Sequence, residues 1–438
     1  MHLGVVPLLD GNSGGVYQYS LSVLRALGTP GVLSANDRVT LFVHDPKAPV
    51  LARVKQPEWK VLPLSPPTWR QRISRLARYI PGIKMVVDRI RANQGKGAPR
   101  EPADLDRPRY NHALNQWFKK SGVEIILYPV PMSISFECGV PYIFTVHDLQ
   151  HRLQPQFPEV GDPKEWHLRE YLFRNGVRNA LVIVADSQVG REDVLSCYGE
   201  YGVPAEDVFA LPFLPADYIP RQVDARQVES SRQRHGLSET YFFYPAQLWP
   251  HKNHARLVEA LSILKIRDKL MPTLVLCGSH KNAIREATFS EVMALADKLG
   301  VLEQIRYLGF IPDDEMAALY AGAEGLLMPT FFGPTNIPIL EAWSLGCPVM
   351  TSDIRGVREQ AGDAAILVDP TQSPAIADAM ARLLSDKEFC EELRGRGRIR
   401  LKSWGPDDFS HRLSEILSHA RSRLSASGLR QESASYIS

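Results

Sequence analysis

The sequence of 438 residues contains no apolar run of eighteen residues, which is about the length that a membrane-spanning helix needs. It also begins without the charged lead and cleavage site of a secretory signal. Its five cysteines are scattered, and none stands in a CxxC spacing. This usage is typical of reduced, buried thiols, so we expect a cytoplasmic protein without a disulfide framework.

The net charge is also small: its formal value is +2, although 23% of the residues are charged. A chain that binds nucleic acid through its overall charge would be strongly basic, so we expect no nucleic-acid partner. The hydrophobic share of 44% is ordinary for a soluble globular protein. The length predicts two or three domains rather than one small core.

A strand–loop–helix–strand unit between residues 325 and 350 organises the chain. The apolar run 325–329 predicts a buried parallel strand, and 331–336 is a loop rich in breakers. Residues 337–345 predict a helix that ends before Gly346, and 347–350 predict the next strand. The unit is therefore a βαβ crossover.

The loop and the helix of this unit are suited to an anionic ligand. Backbone N–H groups of the loop and of the helix N-terminus can hold a diphosphate. Glu341, near the start of the helix, could then accept hydrogen bonds from the two hydroxyls of a ribose. Spacing alone equally allows a solvated glutamate that complements the helix dipole, and both interpretations stay open.

The same segment resembles the GT4-type (group 1) glycosyltransferases, which are retaining enzymes of the GT-B fold. The family pattern has two glutamates eight positions apart, then Ala and a Gly-Cys/Thr-Pro-Val turn. Here Leu340-Glu341-Ala342 and Gly346-Cys347-Pro348-Val349 match it. Gly333 stands where the first glutamate, which usually contacts the donor sugar, would be. The FGPTNIP loop around it resembles a variant of some bacterial members.

The resemblance implies an α/β protein of the GT-B class. Two Rossmann-like domains would face each other across a cleft, with a C-terminal helix returning to the first domain. We expect an N-terminal acceptor domain at 1–222, a nucleotide-sugar domain at 223–405, and a hinge between Leu214 and Arg234. The returning helix would span 406–425, and residues 426–438 would be disordered.

A lysine and a glutamine occupy the positions where the family carries two cations for the donor diphosphate. Lys252 matches the pattern, whereas Gln247 replaces an arginine and offers hydrogen bonds without charge. Without the resemblance, Lys252 would be a solvated lysine at a helix start. His251 and His254 lack a third ligand at metal spacing, so we expect no metal and no cofactor.

His147 follows the predicted strand 142–146, at the strand end where α/β folds bind ligands. On its own it would be a polar residue satisfied by its neighbours. The resemblance places it beside the transferring sugar, with Asp148 nearby, and we assign catalytic roles to His147, Asp148 and Lys252. His151 and Arg152 are assigned to the acceptor because they lie close in sequence.

A glycine-rich loop joins the first predicted strand to the first helix. Such a turn alone is commonly just tight-turn chemistry, but relatives use it to line the cleft, so Gly14 is assigned to the acceptor. Residues 306–311 resemble the segment whose backbone reads the nucleobase, and Glu359 occupies a family position near the donor site. The full set of donor contacts that the resemblance implies is Gly15, Gln247, Lys252, Gly278, Phe310, Gly333, Pro334, Thr335, Asn336, Ile337 and Glu341.

Residues 66–107 form an insert, and between 66 and 100 nine basic residues face a single acidic one. Its apolar residues recur every three or four positions, which is typical of basic amphipathic helices at a membrane surface. Helices packed on their own domain with a solvated basic face would show the same pattern. Peripheral contact with the inner face of the membrane therefore stays an open alternative.

These residues predict a retaining glycosyltransferase. It would move a hexose, mannose-like or rhamnose-like, from a nucleotide sugar to a hydroxyl of a glycan or lipid-linked glycan in cell-surface polysaccharide synthesis. A nucleotide-sugar epimerase is one alternative. A non-catalytic scaffold that binds sugar nucleotides is another, and Gly333 and Gln247 are the residues that favour it.

Overall fold

The computed structural model describes residues 1–11, 14–66, 104–216, 218–220, 222–333 and 335–435, with side chains as far as 426. The basic insert and Pro334 were both singled out in the sequence. Pro334 and residues 67–103 of the insert lie outside the described residues, so the predictions made for them are not addressed.

The first domain is built on a seven-stranded parallel sheet in the order β3-β2-β1-β4-β5-β6-β7. Its strands are β1 (His2–Val5), β2 (Arg38–Val43), β3 (Lys60–Pro63), β4 (Ile125–Tyr128), β5 (Tyr142–Val146), β6 (Val182–Ala185) and β7 (Val208–Ala210). β1 pairs with β2 from His2 opposite Arg38 and with β4 from Leu3 opposite Ile125. The central strands β1, β4 and β5 are buried throughout because helices cover both faces of the sheet.

Eight helices of the described chain belong to this domain. They are α1 (Gly15–Leu27), α2 (Leu51–Val54), α3 (His112–Ser121), α4 (Ile134–Glu137), α5 (Gln150–Leu153), α6 (Pro158–Gly161), α7 (Pro163–Arg178) and α8 (Gln188–Tyr198). Side-chain caps start several of them. Asp162 accepts from the backbone N–H groups of Lys164 and Glu165 at the start of α7, where Pro163 already has a helical φ.

The second domain has a six-stranded parallel sheet in the order β10-β9-β8-β11-β12-β13. Its strands are β8 (Tyr241–Pro245), β9 (Thr273–Cys277), β10 (Ile305–Tyr307), β11 (Gly325–Met328), β12 (Val349–Ser352) and β13 (Ile366–Val368). Its helices are α9 (Ala225–His235), α10 (His254–Ile263), α11 (Ala283–Lys298), α12 (Asp313–Ala321), α13 (Ile337–Ser344), α14 (Arg355–Ala361), α15 (Ser373–Ser385) and α16 (Lys387–Lys402). The predicted βαβ crossover is β11–α13–β12.

The last helix, α17 (Pro406–Ser435), leaves the second domain and packs against α1 of the first. Phe409, Leu413 and Ile416 are buried in the first-domain core. Two parallel Rossmann-like sheets and a returning helix confirm the expected architecture. The helix extends to Ser435, beyond residue 425, where the returning helix was expected to end.

The chain crosses between the domains twice, once after β7 and once between α16 and α17. These crossings lie side by side, because the indole N–H of Trp404 donates to the carbonyl oxygen of Pro212 at 3.1 Å. None of the helices in the described part of the chain is long and apolar enough to cross a membrane.

Polar contacts hold the two domains together away from the hinge. Arg355 of α14 pairs with Glu192 and Asp193 of α8. Glu359 accepts from the backbone N–H groups of Gln188 and Val189 at 3.0 and 2.9 Å. Glu359 was expected near the donor, but its carboxylate caps the N-terminus of a first-domain helix, where it also complements the helix dipole.

Candidate active site between the two domains

A cavity of about 360 Å³ lies between the two sheets, lined by residues of both domains. Its first-domain wall includes His147, Asp148, Glu159, Arg169, Asp186 and Phe213. Its second-domain wall includes Trp249, His251, Lys252, Phe332, Gly333, Thr335 and Asn336. The carboxyl ends of the parallel strands of both sheets meet here, as is usual for ligand sites in α/β folds.

His147 follows the last residue of β5 and lies in this wall, as predicted. Its Nε2 lies 2.9 Å from the carbonyl oxygen of Pro129. Because a carbonyl only accepts, Nε2 carries the proton. Burial lowers the pKa of His147 to about 4, so the ring is neutral at pH 7 and Nδ1 holds a lone pair. In this state the ring offers a hydrogen-bond acceptor at Nδ1, and the catalytic role assigned to His147 stays a prediction.

Asp148 lies beside His147 in the cavity wall and is paired with Arg169 of α7 at 2.5 Å. Burial opposes ionisation of Asp148, but Arg169 outweighs it and lowers the pKa of the carboxyl. The pair is therefore charged on both sides. Arg169 Nε is buried and has no hydrogen-bond partner among the described residues.

Lys252 ends a short 3-10 turn, Pro250–Lys252, just before α10. Its ammonium has no hydrogen-bond partner in the described chain. Burial lowers its pKa to about 8, against the attraction of Asp148 and Glu159. An underhydrated cation in a cavity wall favours an anionic ligand, because a phosphate would replace the water that burial removes.

Gln247 lies at the end of β8, behind the cavity wall. Its Oε1 accepts from the indole N–H of Trp249 and from Arg285 Nη1, both at 3.0 Å. The Arg285 guanidinium also lies 4.7 Å from the centre of the Trp249 ring. A cation therefore stands beside Gln247, where the family carries its own arginine.

Gly333, Thr335 and Asn336, three of the assigned donor residues, line the cavity. A Cβ on Gly333 would lie 2.7 Å from the Asn336 side chain, and its φ of +113° already favours glycine. Thr335 Oγ1 donates to Asp186 of the other wall at 2.6 Å. The Asn336 backbone is bound to Gln360 on both sides, and Asn336 Nδ2 is buried without a partner among the described residues.

Two glycines assigned to the donor, Gly15 and Gly278, lie outside the cavity wall, and at each of them another part of the chain comes close to the backbone. A Cβ on Gly278 would lie 2.6 Å from the Ala246 carbonyl oxygen, and the Gly278 N–H donates to Gly309. Gly15 faces Ile337 across the interface, where a Cβ would lie 3.2 Å from Ile337 Cδ1. Gly14 has a φ of +57°. Neither Gly14 nor the exposed Phe310 lines the cavity.

Glu341 is buried in the second domain rather than exposed in the cavity wall. Its two carboxylate oxygens accept from Tyr218 and Tyr320, at 2.8 and 2.6 Å. Burial raises its pKa, and the tyrosines oppose the rise. The two hydrogen bonds expected from a ribose are thus made by phenols, although each oxygen keeps a further lone pair.

His151 and Arg152 were assigned to the acceptor, but neither residue lines the cavity, and both side chains contact Glu170 of their own domain. His151 is fully buried, and its Nε2 lies 3.3 Å from Glu170 and 3.2 Å from Tyr198. Arg152 forms an ion pair with Glu170. The single turn of α5 directs both side chains into their own domain.

Eight residues that line the cavity were not assigned to the site from the sequence: Glu159, Val160, Arg169, Asp186, Phe213, Trp249, His251 and Phe332. Asp186 follows β6 and is the one with a usable signal, since a polar residue after a buried strand was the argument for His147. Burial raises its pKa to about 8, against hydrogen bonds from Thr335 and Ser187. Glu159 and Arg169 stand in helices that show no sign of a site in the sequence.

In the described ranges, no group of three His, Cys, Asp or Glu side chains is placed so that it could bind a metal ion.

Two facing Rossmann-like domains, a polar cavity between them and a returning helix define the GT-B class of fold. The solved structure of Anabaena HepE in complex with UDP and glucose has this architecture, with a TM-score of 0.66 at 17% identity. The similarity covers 95% of this chain and 99% of that chain. WaaG, a glycosyltransferase involved in lipopolysaccharide biosynthesis, has a TM-score of 0.61 at 14% identity, with 95% and 99% covered.

The family described as "Glycosyl transferases group 1" matches residues 226–400, which span the second domain. The O-antigen chain mannosyltransferase B of Escherichia coli is 27% identical over 268 residues, or 60% of this chain. The alpha-D-kanosaminyltransferase of Streptomyces kanamyceticus is 24% identical over 270 residues, also 60%. In both cases the chain spans 66% of the relative, just under two thirds of its length. These matches support a glycosyltransferase enzyme.

Proposed function

We propose that the protein is a retaining glycosyltransferase that moves a hexose from a nucleotide sugar to a hydroxyl of a glycan or lipid-linked glycan. A mannose-like or rhamnose-like sugar and a role in cell-surface polysaccharide synthesis are part of this proposal. The mannosyltransferase among the relatives supports the first, and its O-antigen substrate supports the second. A peripheral position at the membrane, through residues 66–100, would bring the enzyme to a lipid-linked acceptor.

One observation carries the proposal: four buried polar atoms of cavity residues lack a hydrogen-bond partner in the described chain. They are the acceptors His147 Nδ1 and Glu159 Oε2 and the donors Arg169 Nε and Asn336 Nδ2. Buried polar groups are nearly always paired, because an unpaired one costs about 1–3 kcal/mol. A ligand rich in hydroxyls is the natural partner, since each hydroxyl both donates and accepts.

The charges of the cavity would place the diphosphate of the donor on the second-domain wall and its hexose on the first-domain wall. The diphosphate would lie against Lys252 and the N–H groups at the start of α13, which follow Asn336. The hexose would reach the uncharged acceptor of His147, and Glu341 would receive the ribose at the free lone pairs of its oxygens. Lys252 and the helix N-terminus neutralise the leaving group, and no metal or other cofactor takes part.

Transfer with retention would proceed by front-side attack, because no carboxylate is assigned as a covalent nucleophile. The bond between the anomeric carbon and the diphosphate oxygen breaks, and its electron pair leaves with the phosphate. The acceptor oxygen forms the new bond on the same face, and its proton passes to the departing phosphate oxygen. Lys252 stabilises the charge that develops on that oxygen, so the step needs no carboxylate nucleophile.

The first experiment is a thermal-shift panel of UDP, GDP, dTDP and ADP, followed by their sugars. A ligand that binds the folded state raises the melting temperature by mass action. We expect one nucleotide to stabilise the protein selectively and Glu341→Ala to abolish that shift. No shift with any nucleotide, on a folded sample, would overturn the proposal and favour a non-catalytic protein.

Retention is tested with the selected sugar nucleotide and a simple alcohol acceptor. Proton NMR of the first product formed reports the anomeric configuration. We expect the configuration of the donor, and an inverted product would contradict front-side transfer. Release of a free epimerised sugar nucleotide, without transfer, would support the epimerase instead.

A further inference from the structure

The second-domain wall of the cavity has no acidic residue among its described members. Gly333 stands at the position of the family's missing glutamate. Its φ of +113° and the short distance from a Cβ to Asn336 exclude a side chain there without rearrangement. If the cavity reads sugar hydroxyls with a carboxylate, that carboxylate must come from the first domain.

Glu159 lines the same cavity from the opposite side. It stands on α6, which is a single helical turn. The end of this turn approaches Pro155 closely, since a Cβ on Gly161 would lie 1.6 Å from the Pro155 carbonyl oxygen. The preceding ring, Phe157, packs edge-on against Phe332 of the second domain, with ring centres 5.0 Å apart. This contact places Glu159 next to the Phe332–Gly333 loop.

One carboxylate oxygen of Glu159 is held by the second domain. Its Oε1 lies 2.5 Å from His251 Nδ1 and 3.1 Å from the His251 backbone nitrogen. The His251 ring stacks on Phe332 at 3.9 Å, which fixes its direction. Burial lowers the pKa of His251 to about 4, so the neutral ring donates from Nδ1. Both N–H groups therefore point at the same oxygen.

The other oxygen, Oε2, is buried and has no hydrogen-bond partner among the described residues. The Glu159 side chain is only 6% exposed. Burial opposes its ionisation, but the His251 hydrogen bond outweighs burial and lowers its pKa. A fixed carboxylate with one unsatisfied oxygen can accept a hydroxyl and can donate nothing.

We propose that Glu159 is a specificity-determining residue that accepts a hydrogen bond from a hydroxyl of the transferred sugar. It would supply from the first domain the carboxylate that Gly333 cannot supply from the second. This inference rests on the proposed function. It also means that the sugar is read only when the domains are closed, because His251 anchors Glu159 across the interface.

The test compares Glu159→Gln with the wild-type protein by calorimetric titration of matched pairs: UDP and UDP-glucose, GDP and GDP-mannose, ADP and ADP-glucose. The readout is the ratio of the Kd of the nucleoside diphosphate to that of its sugar. Glutamine can still accept from His251, but its amide would present a donor where Oε2 accepts. We expect the ratio for the preferred pair to fall about tenfold or more, with the Kd of the diphosphate unchanged.

Glu359→Gln is the matched control, because it weakens another carboxylate contact between the domains whose two oxygens are already satisfied. It should leave the ratio unchanged. If Glu159→Gln lowers the melting temperature severely, Glu159→Asp keeps the charge but withdraws the carboxylate by one methylene and should also lower the ratio.

Four results would overturn the inference. The ratio could stay unchanged in the Glu159 variants, it could fall equally in Glu359→Gln, or only the KM of the acceptor could rise. A wild-type ratio of one for every pair would also count against it. Failure of the proposed function is distinct, because then the wild-type protein binds no nucleotide at all.

Discussion

The two walls of the cavity differ in charge and in how that charge is paired. The first-domain wall holds the carboxylates Asp148, Glu159 and Asp186, and each accepts from a named partner. The second-domain wall holds one cation, Lys252, whose ammonium has no hydrogen-bond partner in the described chain. Paired acids tolerate a neutral, hydroxyl-rich ligand, whereas a half-buried cation without a hydrogen-bond partner favours an anion. The diphosphate and the sugar of one donor would therefore separate onto opposite walls.

Removing the unpaired cation should have the largest effect. Lys252→Ala should lower kcat/KM by about 10²–10³-fold, because a buried charge at the leaving group stabilises the transition state more than the ground state. Initial rates of sugar transfer at pH 7 measure it. Lys252→Arg is the control and should retain much more activity. Equal losses in both variants would show that shape rather than charge matters on this wall.

The neutral acceptor of the other wall should matter less. In His147→Gln the amide N–H can replace Nε2 as donor to Pro129, while the acceptor at Nδ1 is lost. We expect about a tenfold loss in kcat/KM, the value of one neutral hydrogen bond. His147→Asn can instead place its oxygen near the Nδ1 position and should lose less. The reverse order would mean that the Pro129 contact is what counts.

The affinity of the Lys252 wall for a nucleoside diphosphate should also depend on pH. Burial lowers the Lys252 pKa to about 8, so the free protein loses this charge as pH rises above 8. A diphosphate raises that pKa on binding, so its affinity is full below pH 8 and falls above it, by at most about tenfold per pH unit. Titration with the preferred nucleotide from pH 7 to 9.5 measures this. Lys252→Arg stays charged and should show no such fall.

Asp186 should act on the pH dependence of stability rather than on activity. Burial raises its pKa to about 8, so the folded state keeps a proton that the unfolded state releases above about pH 4. Stability should therefore fall as pH rises from about 4 to 8, by at most about 1.4 kcal/mol per unit. Asp186→Asn can still accept from Thr335 and should remove that part of the slope. Urea unfolding at several pH values measures it, and identical slopes would contradict the assignment.

The sequence was informative for features that depend on residues adjacent in the chain. Apolar runs gave the strands, and a polar residue after a strand placed His147 at the cavity. The βαβ unit located the loop at Gly333. These features depend on neighbours in the chain, so periodicity and breakers predict them well.

The sequence was uninformative where the site depends on contact between domains. Glu159 lies 92 residues from His251, and only closure of the two domains brings them together. His151 shows the opposite failure, since proximity to His147 in sequence placed it at the acceptor while the turn of α5 buries it against Glu170. The direction of a side chain on a single helical turn depends on packing that the sequence pattern does not encode.

The hydrogen bond between Trp404 and Pro212 has a mechanical consequence. It holds the two interdomain segments next to each other, so the second domain is connected to the first by two adjacent segments of backbone rather than by two distant ones. Such an attachment leaves rotation about a short axis as the easiest relative movement and resists sliding. Cutting either strand alone would leave both halves joined, so a protease that nicks one crossing should not free the second domain.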